Sequence, residues 1–264
     1  MIILGFALAA VIGLSLGLMG GGGSILTVPV FVYVIGFPAK QAIAMSLPVV
    51  GATSLVGALG HWRAGNVRLA TAFGFGVVAM IGSFLGARLA VFLPGAVQLM
   101  MLAVVMLAAA ASMLRRKRVS TEATDAEAPV PVGKLALVGL AVGVLTGIIG
   151  IGGGFLIVPA LVVLGRVPMK QAVGTSLLVI AMNSASGFAG YVGSVDIEWS
   201  FLARFTAVSI AGILVGTWLV RFVSAAALKR GFAIFLILIG AAMIYQNRAV
   251  FTNGGRLNGG AAKK

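Results

Sequence analysis

The chain has 264 residues, of which 61% are hydrophobic and only 9% charged, and its mean hydropathy is +1.16. A soluble domain is about 45–50% apolar, so one soluble core cannot hide this excess and lipid must be part of the solvent. The formal charge of +14 would point to nucleic acid if the basic residues lined one soluble face. Instead Arg63, Arg68, Arg115-Arg116-Lys117-Arg118, Arg221, Arg230, Arg248 and Lys263-Lys264 fall between or after the apolar runs, as residues do that anchor helix ends in a bilayer. The reading is an all-α polytopic membrane protein, multi-pass in the cell inner membrane, with lipid and not nucleic acid as its surroundings.

A crossing helix needs about 20 apolar residues. Ile2–Met19 is the first run; it lacks a basic leading region and continues without a cleavage signal, which predicts a mature helix rather than a leader. Gly20-Gly21-Gly22-Gly23 then interrupts the pattern, and a short apolar run covers Ser24–Ile35. Lys40–Leu59, Leu69–Phe92 and Ala96–Leu114 follow, and the basic cluster from Arg115 ends the last of these. Residues 119–132 are polar, acidic and proline-containing and read as a cytoplasmic linker. The pattern restarts with Leu135–Ile149, a second break at Gly150-Ile151-Gly152-Gly153-Gly154, and the short run Phe155–Leu164. Met169–Gly190, Phe201–Phe222 and Ala225–Tyr245 complete it. Residues 249–264 read as a disordered, glycine-rich tail. The chain thus divides into a first helical repeat (1–118), the linker, and a second helical repeat (133–248), each of about five helical segments.

The restart is a repeat in register. Pro29 and Pro159 stand 130 positions apart, and the same offset pairs Gly13 with Gly143, Gly17 with Gly147, Gly20 with Gly150, and Gly22-Gly23 with Gly152-Gly153. It also pairs Pro38 with Pro168, Lys40-Gln41-Ala42 with Lys170-Gln171-Ala172, Ser46-Leu47 with Ser176-Leu177, Ser54 with Ser184, Gly82 with Gly212 and Gly86 with Gly216. Membrane proteins with internal repeats are mostly transporters. Five segments per half give an inverted pair if the short runs cross and parallel halves if they only re-enter; the inverted layout is preferred, with the loop of Asp196 and Glu198 outside and the Arg115 and Arg221–Arg230 loops inside. A homodimer is left open.

The two breaks are the sharpest chemical signal. Glycine in a helix interior costs roughly 1 kcal/mol each, and a membrane tolerates broken backbone only where it is buried in protein or lines a wet cavity. A short helix restarts after each break, and its first N–H groups carry the positive end of the helix dipole. Gly21, Gly22, Gly23 and Ser24 from one half, with Gly152, Gly153 and Gly154 from the other, could therefore converge on a small anion near the midplane. Ser24 is a further hydroxyl donor and a candidate N-cap. The competing reading is close helix packing, which is assigned to Gly13/Gly17, Gly82/Gly86 and Gly212/Gly216.

Ser46 and Ser176, followed by Thr53-Ser54 and Asn183-Ser184, are polar residues inside apolar helices. Ser46, Ser176 and Asn183 join the candidate binding set, weighed against simple bonding to their own helix. Arg204, the deepest charge in an apolar run, joins it against the alternative of snorkelling. His61 is a candidate gating or coupling residue, against a plain interfacial role. With no cysteine and one histidine, disulfides and multi-histidine metal sites are excluded, and no cofactor or metal is expected. No Asp or Glu lies within an apolar run, which argues against a cation cargo and against carboxylate-based coupling. No Gly-Lys-Ser/Thr follows the glycines, so a phosphate-binding loop is a poor fit. An intramembrane enzyme built on Ser24 and His61 is disfavoured, since no Gly-x-Ser-Gly element is present.

The run Gly20-Gly21-Gly22-Gly23-Ser24-Ile25-Leu26-Thr27-Val28-Pro29, the segment Pro38–Ala42 with Ser46-Leu47, and His61 with Gly65-Asn66-Val67 resemble the sulfite exporter family of the TauE/SafE type. The second-half elements Gly150–Pro159, Gln171-Ala172 and Thr175-Ser176-Leu177 carry the same resemblance, which spans about residues 5–245. It implies a transporter, not an enzyme, that exports sulfite, an organosulfonate or another small sulfur-containing anion. The alternative is an exporter of a neutral or cationic metabolite. The second half departs from the first at Tyr191, which stands where His61 stands in the first.

Overall fold

The structure is a computed structural model and describes residues 2–21, 23–115, 132–163, 167–219 and 225–246. Among these, all regular structure is helical: α1 (Ile2–Met19), α2 (Ser24–Pro29) continuing into a π-helical stretch (Val30–Ile35), α3 (Ala39–Arg63), α4 (Leu69–Ala90), α5 (Gly95–Arg115), α6 (Val132–Ile149), α7 (Gly154–Val163), α8 (Met169–Tyr191), α9 (Trp199–Leu219) and α10 (Ala225–Gln246). The predicted segments are recovered with small shifts at their ends. Val132, placed in the linker by composition, is the first residue of α6. The rest of the linker, the tail, Arg116–Arg118 and Gly22 lie outside the described residues. Among the described residues four helices are long and apolar enough to cross a bilayer: α3, α4, α8 and α9. The apolar stretches Ile3–Leu18, Gly23–Ile35, Gly95–Ala108, Ala136–Ile149 and Leu236–Gln246 are shorter.

The π-helical stretch was not foreseen. Pro29 has no N–H to give to the preceding turn, and the ladder beyond it widens: the N–H groups of Gly36 and Phe37 both donate to Phe31 O, at 3.0 and 2.9 Å. The stretch is held at its end by aromatic packing, with the Phe31 ring 4.8 Å from Phe205 and 5.6 Å from Phe201 on α9.

The molecular exterior is apolar. On α4, Leu69, Phe73, Val77, Ile81, Leu85 and Leu89 recur every four residues and are all exposed, so one face of the helix is a continuous aliphatic and aromatic stripe. Its opposite face buries Ala72, Gly76, Ala79, Gly82, Ser83, Gly86 and Ala87. In water this order would be inverted; with lipid outside, large side chains face the solvent and small ones let helices approach.

That approach is close. A methyl group added to Gly13 or Gly17 of α1 would strike the carbonyl oxygen of Ser209 or Ile213 on α9, and one added to Gly143 or Gly147 of α6 would strike that of Ala79 or Ser83 on α4. In return Gly212 and Gly216 of α9 abut Ala10 and Leu14, and Gly82 and Gly86 of α4 abut Leu140 and Val144. Every contact in the first set has its counterpart 130 positions away, and each joins one half of the sequence to the other. The packing role assigned to these glycines therefore holds.

The centre of the molecule is the crossing of α3 and α8. Leu47 meets Gly187, Gly51 meets Ser184, and Gly57 meets Leu177, a pairing in which one number rises as the other falls. The two helices, which occupy equivalent places in the two halves of the sequence, therefore run antiparallel.

Candidate functional site

Each break begins as a helix C-cap. Gly20 and Gly150 adopt left-handed φ values of 69° and 73°, and their N–H groups donate to Leu16 O and Thr146 O at 2.8 Å each, closing α1 and α6 in the αL manner that glycine favours. The turned carbonyls then need donors, because no lipid can supply one. Ser176 Oγ lies 2.8 Å from Gly20 O, and Ser46 Oγ bonds Gly150 O. Each serine also lies within hydrogen-bond distance of a carbonyl of its own helix, Val173 O at 2.8 Å and Ile43 O at 2.7 Å. The arrangement is reciprocal: α8 of the second half clasps the break of the first, and α3 of the first half clasps the break of the second. Ser46 and Ser176 thus position the breaks. Ser46→Ala combined with Ser176→Ala would strand two buried carbonyls at about 1–3 kcal/mol each. The expected result is a thermal midpoint lower by roughly 5–20 °C, at about 2–4 °C per kcal/mol, read by tryptophan fluorescence in detergent.

The last turn of α6 has a second set of donors that the sequence reading missed. The Tyr191 hydroxyl lies 3.2 Å from both Gly147 O and Ile148 O, and Gln98 Nε2 lies 3.1 Å from Ile148 O and 3.2 Å from the Tyr191 oxygen. These are carbonyls that a helix end leaves without intrahelical partners. The signal available was Gln98 itself, a lone amide buried inside an apolar helix.

Beyond the caps the two breaks meet. A methyl group on Gly21 would lie 2.6 Å from the Gly154 Cα, and one on Gly154 would lie 2.5 Å from the Gly21 Cα. Gly21, Gly23, Gly152, Gly153 and Gly154 are all buried, and Gly152 and Gly153 have φ of 65° and 79°. The starts of α2 and α7 therefore lie side by side in the interior. Ser24 is the first residue of α2 and makes no capping bond; its hydroxyl donates to Gly21 O at 2.8 Å. It tightens the turn and does not act as the N-cap. The breaks are close-packed, and the outward-facing apolar hollows on α1/α9 and on α4 lie elsewhere.

Gly152 faces the α3/α8 crossing. An added methyl there would meet Ser184 Oγ at 2.6 Å, Val50 Cγ1 at 2.9 Å and Ile180 Cγ2 at 3.2 Å. One turn further along each helix stand Thr53-Ser54 and Asn183-Ser184, again 130 positions apart. All four are fully buried. Thr53 Oγ1, Ser54 Oγ, Ser184 Oγ and both polar atoms of the Asn183 side chain have no hydrogen-bond partner among the described residues. An unsatisfied buried polar group costs about 1–3 kcal/mol, so this cluster is a substantial liability unless something engages it. Of these, the sequence places Asn183 among the candidate binding residues; Thr53, Ser54 and Ser184 share its matched polar pattern without being candidates.

Two predicted residues lie apart from the breaks. Arg204 is exposed and turns back along α9, its Nε and Nη2 each 3.1 Å from the Ser200 carbonyl and hydroxyl, the geometry of a snorkelling arginine. His61 sits in the last turn of α3, with its Cβ against Gly174 of α8. Beside it the 64–68 loop is tied to the start of α8, Arg68 N–H donating to Thr175 Oγ1 at 3.0 Å and Arg68 Nε to Gln171 Oε1 at 2.6 Å. Lys40 caps α4, with Nζ 2.7 Å from Val91 O, where a cation complements the helix dipole.

Lipid-facing apolar stripes, interlocked helices and paired interior breaks define a multi-pass membrane protein of the broken-helix type. The model of the family described as sulfite exporter TauE/SafE matches residues 5–243. The chain belongs to this family of membrane transporters. It is 31% identical over 242 residues to a probable membrane transporter protein of Xylella fastidiosa (strain 9a5c), covering 90% of this chain and 93% of that one. To the probable membrane transporter protein YdhB of Bacillus subtilis (strain 168) it is 27% identical over 231 residues, covering 85% and 92%. No solved structure matches it.

Proposed function

We propose that this protein exports a small sulfur-containing oxyanion, sulfite or an organosulfonate, across the inner membrane. The observation that carries this reading is the meeting of Gly21 with Gly154, which sets the starts of two short helices against each other in the buried interior. Both helices direct the positive ends of their dipoles there, while the N–H groups of Ser24 and Leu26 donate to Gly21 O and Gly23 O, and those of Leu156 and Ile157 to Gly153 O. The family match supports the same cargo class. We further infer that the halves are inverted repeats. The antiparallel course of α3 and α8 and the exchanged bonds Ser46–Gly150 and Ser176–Gly20 support this. Ser46 and Ser176 act in this reading by positioning the breaks, Asn183 by contact with the anion, and Arg204 takes no part.

Reconstituted protein should release radiolabelled sulfite from proteoliposomes faster than protein-free vesicles do, and unlabelled organosulfonate should compete. Release of a neutral or cationic metabolite, with none of either oxyanion, would favour the alternative cargo.

A further inference from the structure

We propose that Thr53, Ser54, Asn183 and Ser184 form the selectivity element of this site, and that they restrict the cargo to singly charged oxyanions. The proposal rests on the oxyanion reading above and adds the charge state of the cargo and the residues that set it.

Three observations carry it. The four residues lie on α3 and α8 within about a turn of the Gly51–Ser184 contact, in the antiparallel crossing where the two halves of the chain meet. They are fully buried, and five of their polar atoms lack partners among the described residues. Ser184 Oγ reaches Gly152, so the cluster adjoins the break that leads into α7, a helix of ten residues.

The chemistry of the cluster is neutral. Three hydroxyls and one carboxamide offer O–H and N–H donors, and Asn183 Oδ1 is a fixed acceptor. Among the described residues no Lys, Arg, Asp or Glu side chain is buried. The charge of an anion held here is met by dipoles alone: hydroxyls, an amide and the helix starts. The cost of removing an ion from water grows with the square of its charge, while the return from fixed dipoles grows only in proportion to it. A dianion is therefore penalised far more than a monoanion of the same shape. A singly protonated oxyanion also has an O–H to give to Asn183 Oδ1, which a fully ionised one lacks. Hydrogensulfite meets both terms and a sulfonate meets the charge term; sulfate and fully ionised sulfite meet neither.

The test is thermal stabilisation of the full-length protein in detergent by methanesulfonate, a monoanion, and by sulfate, a dianion, at equal ionic strength and neutral pH, with sulfite titrated from mildly acidic to alkaline pH. Methanesulfonate is expected to raise the melting midpoint, sulfate to leave it unchanged, and sulfite to lose its effect as its second proton leaves. Asn183→Leu and, separately, Thr53→Val are expected to abolish or weaken the methanesulfonate response. Each should leave the unliganded midpoint equal or higher, because each removes a partnerless polar group. Should Asn183→Leu not fold, Ser54→Ala and the wild-type anion series decide the matter without it. Equal stabilisation by sulfate and methanesulfonate would overturn the charge restriction while leaving the oxyanion reading intact. A response to methanesulfonate that survives all three substitutions would overturn the residue assignment. Stabilisation by sodium ions or by a neutral metabolite, with none by any oxyanion, would overturn both this inference and the proposed cargo.

Discussion

Replacing Gly152 by leucine is expected to reduce sulfite release from proteoliposomes by about 30-fold or more. Gly152 holds a φ of 65°, a left-handed conformation that costs an L-residue about 1–2 kcal/mol. Its missing side chain leaves the space between Ser184 Oγ, Val50 and Ile180, and overfilling such a space costs a further 1–3 kcal/mol or so. If these penalties fall on the anion-holding conformation, their sum of about 2–5 kcal/mol, at 1.4 kcal/mol per factor of ten, gives the stated loss. The control is Gly193→Ala. Gly193 has a φ of 80° but nothing within 4 Å of an added methyl, so it carries the same backbone strain with no obstruction. Release by Gly193→Ala should stay within about twofold of wild type at the same protein density. A Gly152→Leu protein that folds, as judged by a cooperative melt, and still transports like Gly193→Ala would place the anion elsewhere.

The contrast between those two glycines shows what the sequence could and could not disclose. Residue type and register made the helices legible, because apolar runs of fixed length and glycine breaks are local facts. The 130-residue offset went further, since it located equivalent positions before any coordinates. It could not say which equivalent residues touch. Ser46 and Ser176 looked like ligand candidates because they are polar residues in apolar helices; the fold instead uses each to hold the opposite half's turned glycine carbonyl. Thr53, Ser54 and Ser184 carry the same sequence signature and the opposite outcome, for their hydroxyls have no hydrogen-bond partner among the described residues. The distinction depends on what the opposite half sets against each side chain, which no single segment encodes. Arg204 shows a related limit: depth in an apolar run counts residues along a helix, whereas the face on which a side chain emerges sets its surroundings, and Arg204 emerges exposed. The π-helical stretch after Pro29 was invisible because a proline licenses a break, a kink or a widened register, and packing of Phe31 against Phe205 selects among them.

In proteoliposomes carrying a potassium-diffusion potential of 100 mV, methanesulfonate is expected to distribute toward the positive side until its concentration ratio reaches about 50. One elementary charge crossing 100 mV gains about 2.3 kcal/mol, and 1.4 kcal/mol is a factor of ten. The premise is that the anion moves with its own charge and nothing else. Coupling to protons or cations commonly relies on ionisable groups within the membrane; here the acidic residues fall outside the apolar runs, and no charged side chain is buried among the described residues. The measured ratio therefore tests the mechanism directly. A ratio that stays near one while the potential is varied would mean electroneutral movement, by exchange or with a co-transported proton, and His61 would then be the first residue to substitute. A ratio that follows the potential with one charge per molecule, for sulfite as well as for methanesulfonate, would tie the energetics of transport to the neutral cluster at the α3/α8 crossing. A dianion moving freely would instead approach a ratio of about 2,000 at the same potential.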